Sequence, residues 1–142
     1  MTTMSVSTLP FQIPAPAGPP PSPAALSLLR QAELGLFEAE RTVDPAQRYA
    51  QSHLAALRAG AAVLAVRAHP AGRKRPGRSV WQLLSLMAPE LSEWAAFFAS
   101  GSSTRAGIEA GITRLVNDRA ADDMVRQVGQ FIGVARTLVR SR

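Results

Sequence analysis

Apolar residues recur at three- and four-residue spacing from Asn117 to Arg140, and this pattern constrains the fold more than any other feature of the chain. The apolar seam consists of Val125, Val128, Ile132, Ala135 and Val139. A seam of this period predicts an amphipathic helix that must pack against other helices. Gly129 and Gly133 add a face of small residues, which predicts close packing against an alanine-rich neighbour, the second helix.

Two earlier helices begin at capping signals. Ser22 followed by Pro23 predicts the start of a first helix, because proline lacks the N–H that the first turn leaves unused. Asp44 followed by Pro45 predicts the start of a second helix, which should end before Pro70. The predicted apolar stripe of this second helix is Leu54, Leu57, Ala61 and Leu64.

A third helix is predicted from Ser79, with an interruption at Pro89. The predicted continuation carries three of the eight aromatic residues, Trp94, Phe97 and Phe98, and should anchor the core. Residues 101–104 are predicted to form a turn, followed by one or two helical turns in residues 105–111. Alanine, leucine and valine dominate the apolar positions, and no long alternation of period two occurs. We therefore expect an all-α fold: an up-and-down bundle of four to five helices within a domain of residues 23–142.

The first 22 residues are rich in Pro, Ser, Thr and Ala, and we expect a disordered leader there. This leader carries neither the basic start nor the apolar run of a secretory signal, and no apolar stretch is long enough to cross a membrane. The chain has no cysteine, which fits a reducing compartment. We expect a cytoplasmic protein without a membrane partner.

Few residues are suited to catalysis or to metal binding. The two histidines, His53 and His69, lie at opposite ends of the second helix, so they cannot share one metal ion within a subunit. No glycine-rich phosphate loop and no recognisable serine, histidine and acid order occurs. We expect neither a metal nor a cofactor.

A basic segment between the second and third helices is the best physical candidate for a binding site. Within twelve positions that contain no acid it carries five basic residues, and these account for five of the six net positive charges. Arginine binds phosphate with two parallel hydrogen bonds, which predicts a site for RNA or nucleotide. The predicted phosphate-binding residues are Arg67, His69, Arg73, Lys74, Arg75 and Arg78. The alternative is a solvated loop without a ligand.

Three stretches of the chain carry a family resemblance. They are the runs Arg48 to Arg67 and Val80 to Ser100, and the pattern RAGIEAG followed by DRAADDMVRQVGQF. These stretches resemble an actinobacterial family of HEPN-like domains, the higher eukaryotes and prokaryotes nucleotide-binding domains, over about Ala25 to Val139. The resemblance implies a bundle of four or five helices that often dimerises. In many members it also implies a metal-independent ribonuclease site in which four to six residues separate an arginine from a following histidine.

The only match to that ribonuclease pattern is Arg48 with His53, in the second helix. In the family members with this site the pair lies near the start of a late helix, and the late helix here contains no histidine. Five residues on a straight helix also separate two side chains by about 140° and ~7.5 Å. The alternative interpretation makes Arg48 a surface charge and His53 a half-buried packing residue.

We therefore expect a non-enzymatic HEPN-like helical domain that binds RNA, nucleotide or a protein partner through the basic segment. A ribonuclease that uses Arg48 and His53 is the first alternative. The second is a homodimeric or partner-binding bundle without a ligand.

Overall fold

The computed structural model of the protein describes residues 22–67 and 77–141, and within these ranges it contains helices and no strand. The α-helices are α1 (Pro23–Glu40), α2 (Pro45–Arg67), α3 (Val80–Met87), α4 (Ser92–Ser100), α5 (Ser102–Glu109) and α6 (Asp118–Arg140). Single 3₁₀ turns precede α4 and α6, at Pro89–Leu91 and Thr113–Leu115. The predicted all-α fold is confirmed. The predicted leader and most of the basic segment lie outside the described residues.

Side-chain caps start the four helices whose beginnings the sequence predicts. Ser22 accepts a hydrogen bond from the amide of residue 25, and Asp44 accepts one from the amide of residue 47 at 2.9 Å. Ser79 forms a reciprocal capping box with Gln82. Asn117 caps α6 through the amide of residue 120, also at 2.9 Å. Each cap satisfies amides that the first turn leaves without a partner inside the helix.

The predicted turn at residues 101–104 is wrong, because only Gly101 separates α4 from α5. The amide of Gly101 donates to Phe98 O, and Gly101 O accepts from the amide of Arg105. Helical hydrogen bonding therefore passes through the glycine. A Cβ at this position would lie 2.8 Å from Tyr49 Oη, so the site has no room for a side chain.

The chain folds back on itself between α3 and α4. Trp81 stacks on Phe98 with ring centroids 5.1 Å apart, although a straight helix would separate these residues by ~25 Å. The change of direction occurs at Ala88, whose backbone leaves the helical region, and at Pro89. The sequence predicts this interruption, but the segment after it reverses direction instead of continuing in line.

Four helices alternate in direction around one core. Leu36 of α1 lies beside Gly129, and Glu33 binds Arg136, so α1 and α6 are antiparallel. α4 is antiparallel to α2, since Glu90 lies at the end of α2 and Phe98 contacts its middle. These contacts describe the predicted up-and-down bundle, with α3 and α5 as short additions.

Alanines form the buried face of α2. Ala55, Ala56, Ala59 and Ala62 are almost fully buried, whereas the predicted leucine stripe of this helix is only half-buried. The helix packs against α1, α3, α5 and α6, so it has core contacts around much of its circumference. Small side chains allow these neighbours to approach closely. The aromatic part of the core is formed by Trp81, Phe98 and Phe131.

The predicted contact between the glycine face of α6 and α2 is wrong. A Cβ on Gly129 would meet Leu36 of α1, and a Cβ on Gly133 would meet nothing within 4 Å. α6 instead packs through bulkier residues of its seam, among them Val128 and Ile132. Val125 of the predicted seam is only half-buried, and Met124 is buried instead.

Candidate functional site

Arg48 lies at the start of α2 and is 9% exposed. Its Nη2 donates to Asp118 Oδ1 at 2.7 Å, and its Nε donates to Asp122 Oδ1 at 3.1 Å. The remaining Nη1 donates to the carbonyls of Thr42 and Val43, at 2.9 and 3.0 Å. Each of the three guanidinium nitrogens therefore has a partner within the fold.

These contacts join the connection before α2 to the first two turns of α6. The hydrogen bond from Arg48 to Asp118 raises the pKa of Arg48 above its ordinary value, against the opposing effect of burial. Both aspartates are themselves largely exposed. The interpretation of Arg48 as a surface charge is therefore wrong. Its guanidinium is buried and holds two distant parts of the chain together.

His53 lies one turn further along α2 and is fully buried. Its ring stacks parallel to Tyr49 at a centroid distance of 6.4 Å, and the edges of Trp81 and Phe98 approach it at 6.1 Å. Its Nε2 lies 2.8 Å from Phe98 O. The sequence analysis correctly expects His53 to pack near Tyr49, but it underestimates the burial of His53, which is complete and not partial.

The surroundings of His53 determine its protonation. A carbonyl only accepts hydrogen bonds, so Nε2 carries the proton and the buried Nδ1 is a lone-pair acceptor. This Nδ1 has no hydrogen-bond partner among the described residues. Burial lowers the pKa of His53, and the hydrogen bond to Phe98 opposes this only in part. A neutral imidazole without access to solvent is the result.

Arg48 and His53 therefore take their partners from different parts of the bundle. Arg48 binds Asp118 and Asp122 of α6, and His53 binds the end of α4. The two side chains do not face a shared space within this chain. A phosphate bound between them would have to displace the aspartates and open the aromatic core around the imidazole.

Of the predicted phosphate-binding residues, the described ranges contain only Arg67 and Arg78. Arg67 ends α2 and binds both carboxylate oxygens of Glu90, at 2.5 and 3.3 Å, which raises the pKa of Arg67 and lowers that of Glu90. Arg78 is exposed just before the cap of α3. The other predicted residues, His69, Arg73, Lys74 and Arg75, lie outside the described residues.

An open groove of about 730 Å³ lies along α4. Its lining consists of Pro89, Glu90, Ser92, Glu93, Trp94, Phe97 and Gln127. The sequence pattern places the aromatic residues of this segment in the core. Phe98 is indeed buried, but Phe97 is 41% exposed and contributes to the groove.

The sequence analysis does not predict the acidic side chains that bind Arg48 and Arg67. Asp118 and Asp122 are 70 and 74 residues from Arg48, and Glu90 is 23 residues from Arg67. No local signal relates residues at such separations. In the sequence, Asp118 is recognisable only as an acidic residue in the first turn of α6. There its negative charge interacts favourably with the positive end of the helix dipole.

Two global features of the described ranges bear on function. No group of three or more metal-binding side chains converges within them. No helix in residues 22–67 or 77–141 has both the length and the hydropathy to cross a membrane.

Comparison with known proteins adds one finding. The comparisons with curated proteins and with solved structures gave no match. The family model described as SAV_6107-like HEPN matches residues 39–136, from the end of α1 to the last turns of α6. Because this match covers well over half of the chain and includes α2 to α5 in full, the chain belongs to the SAV_6107-like HEPN family.

Proposed function

We propose that this HEPN domain is a non-catalytic helical module that binds the phosphates of RNA or nucleotide through the basic segment between α2 and α3. The observation that carries the proposal is the charge distribution along the chain. Arg73, Lys74, Arg75 and Arg78 follow one another without an intervening acid, in a chain whose remaining charges are nearly balanced.

The mechanism is electrostatic. Several arginine forks near one another neutralise several phosphates and release their counterions, which is a favourable process at moderate salt. Arg78, the one described member of this group of four, is exposed and makes no ion pair with another described residue. Arg67 is better assigned to the Glu90 contact than to the ligand, since its guanidinium already binds a carboxylate.

The state of Arg48 and His53 supports binding without catalysis. A general acid or base needs a titratable atom within reach of the substrate, and His53 is enclosed by Tyr49, Trp81 and Phe98. An arginine that orients phosphate needs free donors, and four of the five N–H donors of Arg48 are taken by Asp118, Asp122 and two carbonyls.

The test measures binding of a fluorescein-labelled single-stranded RNA by anisotropy and of ATP by calorimetry, which distinguishes the two sources of phosphate. The variant replaces Arg73, Lys74, Arg75 and Arg78 by glutamine. A matched control replaces four exposed arginines outside the segment and lowers the net charge by the same amount. Its positions are Arg30, Arg114, Arg119 and Arg140.

We expect the segment variant to lose at least about tenfold in affinity, since each phosphate contact contributes to the electrostatic term, and the control variant to lose much less. Equal losses in the two variants would mean that net charge alone attracts the ligand. Wild-type protein that binds neither RNA nor ATP would disprove the proposal. RNA cleaved by wild-type protein would instead favour the ribonuclease alternative.

A further inference from the structure

The groove along α4 differs in chemistry from the rest of this basic protein. Glu90, Glu93 and Phe97 are spaced three and four residues apart, so they lie on one face of the segment that begins at Pro89. Trp94 adds a half-buried indole, and none of the described residues that line the groove is basic. The groove therefore presents carboxylates beside aromatic faces in a chain with a net charge of +6.

At one end of the groove, the carboxylate of Glu90 already binds an arginine of the same chain. Glu90 holds the guanidinium of Arg67 through both of its oxygens, in the two-point geometry that arginine and carboxylate favour. Glu93, about one turn further along, is exposed, and its carboxylate makes no hydrogen bond or ion pair with another described residue. Its neighbour Phe97 offers an exposed ring on the same face.

We propose that this groove binds an arginine side chain of a partner protein, with the guanidinium held by Glu93 and stacked on the rings of Phe97 and Trp94. Arginine fits better than lysine, because a planar guanidinium both pairs with a carboxylate at two points and stacks on an aromatic face. Gln127 of α6 lies at the groove as an additional hydrogen-bonding group.

The open shape of the groove favours a protein segment over a small organic cation. Sites for small molecules enclose most of the ligand surface, whereas this groove is partly open to solvent. A side chain that projects from an extended segment needs only partial enclosure, since the rest of its protein supplies further contacts. This inference is independent of the proposed phosphate site, which has the opposite charge and lies in a different segment.

The test uses the intact chain and a short capped peptide with two arginines in a glycine and serine background. Calorimetry measures affinity, and Trp94 fluorescence reports occupancy, since the other tryptophan, Trp81, is buried in the core. A matched peptide carries citrulline in place of arginine, which keeps the shape and removes the charge. The protein variants are Glu93→Gln and Phe97→Ala, and Glu38→Gln is the control because Glu38 is an exposed acid outside the groove.

We expect saturable binding of the arginine peptide, with a loss of about tenfold for the citrulline peptide and a similar loss in Glu93→Gln. Phe97→Ala should lose several-fold in affinity, and Glu38→Gln should bind like wild-type protein. All three replaced side chains are exposed, so circular dichroism should show unchanged helix content. The proposal is wrong if the arginine peptide shows no saturable binding, if citrulline binds equally well, or if Glu93→Gln has no effect.

Discussion

At the scale of single residues, His53 shows how burial changes the chemistry of a side chain that sequence motifs associate with catalysis. Its imidazole donates from Nε2 to Phe98 O and has aromatic rings on three sides. Such an environment stabilises the neutral form and opposes protonation. The residue that the ribonuclease pattern singles out therefore contributes to the core of the bundle.

This burial predicts a loss of stability at mildly acidic pH. The pKa of His53 is lowered in the folded state, so the unfolded chain, with an ordinary value of about 6.5, binds more protons as the pH falls. The free energy of unfolding should be highest above pH ~7 and should decrease below it by at most about 1.4 kcal/mol per pH unit. Urea unfolding at a series of pH values above ~5, where ordinary carboxyls remain ionised, measures the slope.

The two histidines supply the comparison for this measurement. His53→Gln keeps a donor for Phe98 O and removes the titrating group, so its stability should vary little between pH ~5 and ~7. His69→Gln should retain the pH dependence of wild-type protein. A slope that persists in His53→Gln would show that another group is responsible.

At the scale of helices, Gly133 and Gly101 lie in opposite environments. A Cβ on Gly133 in α6 would have no neighbour within 4 Å, whereas a Cβ on Gly101 would collide with the hydroxyl of Tyr49. One glycine is therefore replaceable, and the other is required by the close approach of α2.

These environments predict opposite effects of the same substitution. Gly133→Ala should raise the free energy of unfolding by about 0.5–1 kcal/mol, because alanine loses less backbone entropy in a helix. Gly101→Ala should lower it by at least about 1 kcal/mol, because the methyl group overlaps the buried Tyr49 side chain and forces it to move. Thermal and urea unfolding of the two variants measure both changes. Destabilisation by Gly133→Ala would mean that this face of α6 is covered by another element or chain.

The element starts could be predicted from sequence because capping is local. Ser22, Asp44, Ser79 and Asn117 each bind an amide three residues later, so the signal lies within a few positions. The start of α5 gives no such signal, because this helix begins without a side-chain cap, after a glycine and among turn-forming residues. The helix that packs against the α6 glycines could not be predicted either. Periodicity identifies a face of small residues, but it does not identify the neighbouring helix.

The candidate site was less predictable than the fold for a related reason. The Arg48 and His53 pattern is visible in the sequence, but its meaning depends on Asp118, Asp122 and Phe98. These residues are 45 to 74 positions away, and only the folded bundle brings them together. The groove along α4 likewise combines residues 89–97 with Gln127 of α6, which only the folded bundle brings together.

At the scale of the whole molecule, the charge distribution predicts how binding depends on salt. If Arg73, Lys74, Arg75 and Arg78 each neutralise one phosphate of single-stranded RNA, the logarithm of the affinity should fall with the logarithm of salt with a slope of about −3. The variant with glutamine at these positions should show a much shallower slope, and anisotropy titrations across a salt series measure it. A slope that is the same in both proteins would place the contacts elsewhere.

The ion pairs of Arg48 also affect the order in which the chain can fold during translation. The hairpin of α1 and α2 is complete by Arg67, but the aspartates that hold Arg48 and the seam that covers the alanine face come from the last helix. Contacts of such long sequence separation form late, and domains emerge from the ribosome N-terminus first. A nascent chain therefore carries an uncovered alanine face on this hairpin until α6 has been synthesised and can pack against it.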